Sequence, residues 1–331
     1  MDDPLADSTS GRDWAGLYDR IPCHDADHLL NVLDARGPHF GNTPLPNRWI
    51  FRGQKDSTWP LLPSAFRLST MQKLLGSARA PHHPNLDQIR MEFVGLFRFF
   101  ESADRAGLSL PEDSQATRKV FHKIRTALAA PSGKLLWPPD ELLSLLALAQ
   151  HNGVPTRLLD WTWDAKIAAY FAVVNAAEHL KDHEGGKQVV SDHMCVWALS
   201  LTIFRSALES DMPSAEGFYL ITAPTFANAN LRAQRGAFVL HRPKGEIDFG
   251  PRFTCTPIEQ KSELAGKSTD LVQFTLPVRE AHRLLRLLAK DGICGAGLFP
   301  SYEGAAKAAR EETWWDCCDP IWEQDDCRLR T

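Results

Sequence analysis

The chain has 331 residues, of which 44% are hydrophobic and 24% are charged, a composition that is ordinary for a globular protein and excludes extensive disorder. Its formal net charge of −4 provides no chain-wide attraction to nucleic acid or to an anionic membrane. The sequence contains no run of about 18 apolar residues, and its start lacks the basic and apolar segments of a secretory signal. We therefore expect a cytoplasmic protein that has no membrane partner.

The cysteines are scattered along the chain and include no C-x-x-C pair. They are Cys23, Cys195, Cys255, Cys294, Cys317, Cys318 and Cys327. A structural zinc site normally needs closely spaced pairs of ligands, so this spacing indicates reduced thiols. We predict no metal.

The first elements are a tail, a short helix and a strand. Residues 1–20 are polar and predict a flexible N-terminal tail. The following segment "DADHLLNVLDAR" has helical spacing of its leucines and valine, with Asp25 or Asp27 as the cap. An apolar run at residues 49–52 then predicts a strand, and a proline-containing loop follows it.

Two helical patterns occupy the next hundred residues. The segment "LDQIRMEFVGLFRFFESADRAG" has an apolar stripe at helical spacing and ends at Gly107. In "DELLSLLALAQHNG", Asp140 is predicted to cap a helix that stops at Gly153. We interpret this region, about residues 68–148, as a helical insertion.

A short strand or turn over residues 156–161 is predicted to lead into a helix that begins near Asp164. The apolar side of this helix is predicted to pack on a sheet through Ile167, Ala168, Phe171 and Ala172. Small residues at these positions would allow the helix to pack closely against the sheet.

From residue 194 the pattern changes to short β-branched and aromatic runs, "MCVWALSL", "GFYLITAP", "GAFVLHR" and "DLVQFTLP", which are typical of strands. Two further helical segments, "REAHRLLRLLAKDGI" and "SYEGAAKAARE", follow. Helices early and strands late predict an α+β fold with a central mixed or antiparallel sheet and flanking helices. We predict one composite domain over residues 21–315 and a C-terminal tail over residues 316–331.

Three polar clusters lie where elements begin or end: "FRG" at 51–53, a segment at 149–173 and "NLRAQRGAFVLH" at 230–241. The middle cluster contains Gln150, His151, Thr156, Arg157, Asp160 and Thr162. Because buried polar groups need partners, this density indicates either an internal network or a ligand site. In the network interpretation, Asp160 pairs with Arg157 or Arg52.

The pair Arg52-Gly53 also has two interpretations. A guanidinium beside a glycine suits a phosphate or a planar amide, because the glycine lets a ligand approach the main chain. Alternatively, Arg52 caps the sheet by pairing with an internal carboxylate.

The sequence lacks several catalytic signatures. It contains no G-x-x-x-x-G-K-[ST] loop, no G-x-G-x-x-G after a strand, no G-x-S-x-G and no H-E-x-x-H. ATP hydrolysis, Rossmann-type hydride transfer, α/β-hydrolase chemistry and zinc proteolysis therefore lose support.

Four segments resemble the FRG domain family, which is named for its Phe-Arg-Gly motif and is widespread in bacteria. They are "WIFRGQKDSTWPLLPSAFR", "LLALAQHNGVPTRLLDWTWDAKIAAYFAV", "LRAQRGAFVLH" and "GICGAGLFPSYEGAAKAARE". This resemblance implies a fold more than an activity.

A wider resemblance is to the ADP-ribosyltransferase superfamily, whose first strand ends in Arg-Gly or His-Gly and grips NAD. Arg52 and Gly53 are similar to this motif, and Thr162 is similar to the hydroxyl residue of the second strand. The third motif of the superfamily supplies a catalytic glutamate, but this sequence has Gln234 there. The resemblance implies a fold like that of the transferases, with the helical insertion added, and implies NAD as a substrate.

The missing glutamate matters because a carboxylate stabilises the positive charge that develops on the ribose, and losing one such contact typically costs on the order of 10²–10³ in rate. Asp160 precedes Thr162 by two positions and shares its face of an extended strand, so it can replace that charge. The positive charge of a neighbouring Arg52 or Arg157 would favour the ionised form of the Asp160 carboxylate. Alternatively, the Asp160 carboxylate is fully occupied by a buried ion pair with Arg157 or by hydrogen bonds from backbone amides.

We assign catalytic roles to four residues that are predicted to line one concave site, Arg52, Asp160, Thr162 and Gln234. The residues assigned to nucleotide binding are Arg52, Gly53, Gln150, His151, Thr156 and Arg157. The expected reaction is transfer of ADP-ribose to a protein or nucleic-acid acceptor, or hydrolysis of NAD.

Two alternatives come from other classes of protein. The first is a non-catalytic nucleotide sensor or interaction module, which the missing glutamate favours. The second is a nucleic-acid-processing or nucleic-acid-binding protein, for example one of phage defence, which the acidic balance disfavours.

Overall fold

The computed structural model describes residues 18–37, 39–40, 49–67, 84–129, 135–182, 191–202, 204, 218–222, 228–242, 257–260 and 270–316. Nearly all of both predicted tails lie outside these residues, as do residues 68–83 and 130–134 of the predicted insertion and Cys255, Cys317, Cys318 and Cys327.

A mixed sheet forms the centre of the described structure. Its strands are β1 (Asp19–Pro22), β2 (Trp49–Gln54), β3 (Leu158–Thr162), β4 (His193–Ser200), β5 (Phe218–Ile221), β6 (Gly236–His241) and β7 (Leu271–Pro277). They lie in the order β1-β7-β4-β2-β3-β6-β5. Strands β1 and β7 are parallel and every other neighbouring pair is antiparallel. The predicted α+β fold with a mixed sheet is confirmed.

The helices flank this sheet. They are α1 (Ala26–Val32), α2 (Pro84–Arg105), α3 (Gln115–Ala129), α4 (Leu143–His151), α5 (Ala165–Asp182), α6 (Ala229–Ala233), α7 (Ala281–Lys290), α8 (Gly295–Leu298) and α9 (Tyr302–Asp316). The described residues also form short 3₁₀ helices at Ser64–Phe66, Asp140–Leu142, Ile258–Gln260 and Val278–Glu280.

Local capping residues explain four of the described helix ends. The Asp25 carboxylate accepts from the His28 backbone N–H at 2.7 Å and caps α1, and Asp164 accepts from the Lys166 N–H at 2.9 Å and caps α5. Gly107 and Gly292 have φ of 68° and 75°, a left-handed conformation that ends α2 and α7 with little strain. The sequence predictions of these ends are confirmed.

The predicted role of Asp140 is wrong. Asp140 begins a 3₁₀ turn, and α4 starts three residues later without a side-chain cap. The Asp140 carboxylate instead accepts from Arg242 Nη1 at 2.6 Å. A charged partner from a distant segment therefore replaces the local helix cap.

Two groups of helices cover one face of the sheet. Helices α1, α5, α7, α8 and α9 supply side chains to a core over β2, β4 and β7. Helices α2, α3 and α4 supply side chains to a second core over β3 and β6. The opposite face carries a third cluster that includes Trp161, Trp197 and Leu61. The space between the two helical groups lies above the junction of β2 and β3.

That junction is short. Strands β2 and β3 pair at one position, Phe51 with Thr162, whereas β2 pairs with β4 along its whole length. Beyond this pair the backbones of β2 and β3 no longer form a ladder. At this point the Arg52 side chain lies between the two strands and contacts the Asp160 backbone in place of a ladder hydrogen bond.

Candidate functional site

A pocket of about 250 Å³ lies on the helical face of the sheet, beside the β2–β3 junction. It is lined by residues of β2, β3, α4, α5, α6 and β6, which are Phe51, Arg52, Gly53, His151, Asp160, Trp161, Thr162, Ala168, Phe171, Asn175, Leu231, Gln234, Gly236, Ala237 and Phe238. Aromatic and small apolar side chains form most of the wall, and a few polar groups converge on it. This is the usual composition of a small-molecule site.

The structure brings together the four residues assigned to catalysis, since Arg52, Asp160, Thr162 and Gln234 all line this pocket. Gly53 and His151, which were assigned to nucleotide binding, line it as well. Gln150, Thr156 and Arg157 are outside the lining. The functional roles of all these residues remain predictions.

The Arg52 guanidinium bridges from β2 to β3. Its Nη1 donates to the backbone oxygen of Asp160 at 2.6 Å and lies 3.9 Å from the Asp160 carboxylate. The Arg52 side chain is 16% exposed and that of Asp160 is 52% exposed, so the ion pair has a buried cationic end and an open anionic end. Burial lowers the pKa of Arg52, and the charge of Asp160 opposes this effect.

A second set of contacts holds Asp160 from the other side. Gln150 Nε2 donates to the Asp160 carboxylate at 2.8 Å, and the Thr156 hydroxyl donates to Gln150 Oε1 at 2.8 Å. The Ser64 hydroxyl accepts from the Thr156 N–H at 3.1 Å. Gln150 and Thr156 therefore orient Asp160 from behind the pocket.

Arg157 belongs to a different network. It is 1% exposed, and its Nε and Nη2 donate to the Glu92 carboxylate at 2.7 and 2.8 Å. The Glu92 carboxylate also accepts from Trp137 Nε1 and from Gln88 Nε2, each at 2.8 Å. The pairing of Arg157 with Asp160 is not present, because a glutamate of α2 binds the Arg157 guanidinium inside the helical core. The assignment of Arg157 to nucleotide binding stays a prediction.

The Thr162 hydroxyl is also occupied. It donates to the backbone oxygen of Gln234 at 2.7 Å and accepts from the Asp164 N–H at 3.1 Å. The Gln234 side-chain amide donates to the Leu298 backbone oxygen at 3.2 Å. Thr162 thus joins β3, the start of α5 and the end of α6. Of the Thr162 and Gln234 side chains, that of Gln234 keeps acceptor capacity toward the pocket, at its amide oxygen.

Gly53 is required for a reason that the sequence did not indicate. A Cβ at this position would lie 2.0 Å from the Ala168 backbone oxygen and 2.5 Å from the Ala172 nitrogen. Helix α5 therefore occupies the space that we had expected a ligand to use. The predicted close packing of Ala168 and Ala172 on the sheet is confirmed.

His151 and Arg67 complete the polar surroundings. Burial lowers the pKa of His151, which favours the neutral imidazole, and the charge of Asp160 acts in the opposite direction. Arg67, which the sequence reading did not assign to the site, lies near enough for the charges of Arg52 and Asp160 to act on it. Its position depends on the path of the loop after β2, which has no local sequence signature.

Two structural features are absent from the described residues. Within that part of the chain, no helix has both the length and the apolar character needed to cross a bilayer. The same residues contain no group of three or more His, Cys, Asp or Glu side chains arranged to hold a metal ion.

Residues 47–181 match the model of the FRG domain family, and this segment contains β2, the helices α2 to α4, β3 and most of α5. The match includes Arg52 and Asp160 but not Gln234. No curated protein and no solved structure matches the chain. The resemblance to ADP-ribosyltransferases and the domain limits of 21–315 therefore stay predictions.

Proposed function

We propose that the pocket binds NAD or a related nucleotide. The observation that carries this proposal is the convergence of the Arg52–Asp160 ion pair and the Gln234 amide in one aromatic-walled pocket. A planar base or nicotinamide ring suits the aromatic side chains Phe171 and Phe238, and ribose hydroxyls suit a carboxylate and an amide oxygen.

The size of the pocket limits what can enter it. Its volume of about 250 Å³ is below the roughly 300–1,000 Å³ that pockets for drug-sized ligands usually have. The pocket therefore accommodates the nucleoside end of a dinucleotide, and the remainder extends beyond it.

Calorimetric titration of the full chain with NAD tests the proposal. We expect saturable binding that Asp160→Asn weakens about tenfold or more, because a charged hydrogen-bond acceptor becomes neutral. Asp291→Asn is the matched control, since Asp291 is 45% exposed and also has one basic partner, Lys166, at 2.6 Å. Failure of the wild-type protein to bind NAD, ADP-ribose or nicotinamide at millimolar concentration would refute the proposal.

A second candidate function is cleavage of NAD, and the open end of Asp160 favours it. In this reaction the bond between the ribose C1′ and the nicotinamide nitrogen breaks, and the electron pair leaves with nicotinamide. Water or an acceptor nucleophile then forms the new bond to C1′. Asp160 is the one carboxylate among the pocket-lining residues, so it would stabilise the positive charge on the ribose.

Binding without cleavage, as in a sensor, is favoured by Gln234 and by the occupied hydroxyl of Thr162. Measuring nicotinamide release separates the two functions. An enzyme releases nicotinamide in a reaction that Asp160→Asn abolishes without lowering the melting temperature. If Asp160→Asn retains full turnover, Asp160 is not catalytic, whereas binding without any release identifies a sensor.

A further inference from the structure

Two arginines lie close to one another, Arg52 in the pocket lining and Arg67 near enough for the charges of Arg52 and Asp160 to act on it. Asp160 is the one carboxylate of the described residues whose charge acts on Arg67 or Arg52. Two guanidinium groups therefore share one carboxylate. Buried charges are normally paired, so this excess favours an additional anion.

Arg52 has unused hydrogen-bonding capacity. Its Nη1 is bound to the Asp160 backbone oxygen, but its Nε is buried and, within the described part of the chain, has no hydrogen-bond partner. An unpaired buried donor costs free energy, which an incoming acceptor would recover. The contact of Nη1 with the Asp160 backbone places this guanidinium at the β2–β3 junction.

Arg67 ends the loop whose Ser64 hydroxyl donates to Gln150 Oε1 at 3.4 Å, and Gln150 in turn donates to the Asp160 carboxylate at this junction. The Nε and Nη2 of Arg67 donate to the Leu62 backbone oxygen at 3.1 and 2.9 Å. This neutral acceptor fixes the guanidinium without cancelling its charge. Burial and, after it, the charge of Arg52 lower the pKa of Arg67 to about 10, so Arg67 remains cationic at neutral pH.

We propose that Arg52 and Arg67 together bind a phosphate group of the nucleotide, at the end of the pocket where β2 and β3 separate. This inference rests on the proposed nucleotide-binding function and assigns Arg67 as a binding residue. Guanidinium groups bind phosphate oxygens through short, charge-assisted hydrogen bonds. With the nucleoside in the pocket, the phosphate lies next to the arginines and away from the Gln234 side.

The test compares ligands with and without phosphate, NAD and nicotinamide riboside, on the wild-type protein and on Arg67→Gln. We expect Arg67→Gln to weaken NAD binding about tenfold or more and to leave binding of the riboside unchanged. We also expect Arg67→Lys to retain part of the preference for NAD, because it keeps the charge. Equal losses for both ligands in Arg67→Gln and Arg67→Lys would show that Arg67 only shapes the loop, and would overturn the proposal.

Arg90→Gln is the matched control, since Arg90 is also half-buried and donates to a backbone oxygen, that of Leu128, at 2.8 Å. It should leave the affinity for both ligands unchanged. An equal loss of NAD binding in Arg90→Gln would overturn the assignment to Arg67.

Inorganic pyrophosphate separates this inference from the proposed function. If neither NAD nor the riboside binds, the nucleotide proposal fails. Pyrophosphate binding that disappears in Arg67→Gln would then still support an anion site. Absence of pyrophosphate binding together with NAD binding that is insensitive to Arg67→Gln would refute the anion site alone.

Discussion

Gly53 of β2 lies so close to Ala168 of α5 that a methyl group on Gly53 would stand 2.0 Å from the Ala168 carbonyl oxygen. Real Cβ atoms do not approach a backbone oxygen this closely, so either the strand or the helix would have to move. Because both elements line the pocket, this contact fixes the distance between its two walls.

Gly53→Ala is therefore expected to lower the free energy of unfolding by an amount at or above the upper end of the about 1–3 kcal/mol that overpacking usually costs. Urea unfolding measures this loss. Gly153→Ala is the comparison, because a Cβ at this position meets no atom within 4 Å. Its expected cost in stability is that of placing alanine in the left-handed conformation at φ of 82°, about 1–2 kcal/mol. A smaller loss in Gly53→Ala than in Gly153→Ala would contradict the packing explanation.

The buried pair of Glu92 and Arg157 should control stability and leave ligand affinity unchanged. Glu92→Gln removes one charge from a pair whose side chains are 2% and 1% exposed, and breaking such a pair costs about 3–5 kcal/mol. Asp104→Asn breaks the bidentate but exposed pair with Arg118, which should lower the stability far less, because solvent screens that pair. A change in NAD affinity of the folded Glu92→Gln protein, without a loss of stability, would reverse this assignment.

Thr162 should prove to be a structural hydroxyl. Thr162→Val removes both the donor to Gln234 and the acceptor for Asp164, and we expect a loss of about 1–3 kcal/mol for the polar groups left unpaired. Thr162→Ser keeps the hydroxyl and should retain most of the stability. If both variants have the same midpoint of urea unfolding as the wild type, the Thr162 hydroxyl does not stabilise the fold.

Glu259 should make stability depend on pH. Burial raises its pKa from 4.5 to about 7, and its Oε2 accepts from the Leu61 N–H at 3.1 Å. The folded state therefore holds the proton more tightly than the unfolded state, and the contribution of this group to stability falls as pH rises from about 4.5 to 7.

Glu259→Gln removes this titration while keeping an acceptor for Leu61. At pH 8 it should be more stable than the wild type, by at most about 3 kcal/mol, and the advantage should disappear near pH 4.5. Urea unfolding of the two proteins across this pH range gives the difference directly. An advantage that is the same at every pH would exclude protonation of Glu259 as its cause.

Local signals accounted for most of the elements. The caps Asp25 and Asp164 and the left-handed Gly107 and Gly292 act within a few residues, so their consequences are readable from the sequence. The face shared by Asp160 and Thr162 follows from strand alternation, which is also local.

Contacts between distant segments could not be predicted from the sequence. Nothing near Arg157 identifies Glu92, 65 positions earlier, as its partner, and nothing near Asp140 identifies Arg242. The sequence likewise places Arg67 in an ordinary loop, although that loop carries it to Arg52. Each of these pairings depends on the order of the strands, and short-range patterns do not contain that order.

The single residue pair between β2 and β3 also has a mechanical meaning. Few backbone hydrogen bonds couple the four strands β1, β7, β4 and β2 to the three strands β3, β6 and β5. The stiffness of the joint comes instead from α5, which contacts β2 and β3, and from the Arg52 guanidinium, which spans them. A rotation of one half of the sheet against the other would change the separation of Arg52 and Asp160, so the width of the pocket is tied to the twist of the whole sheet.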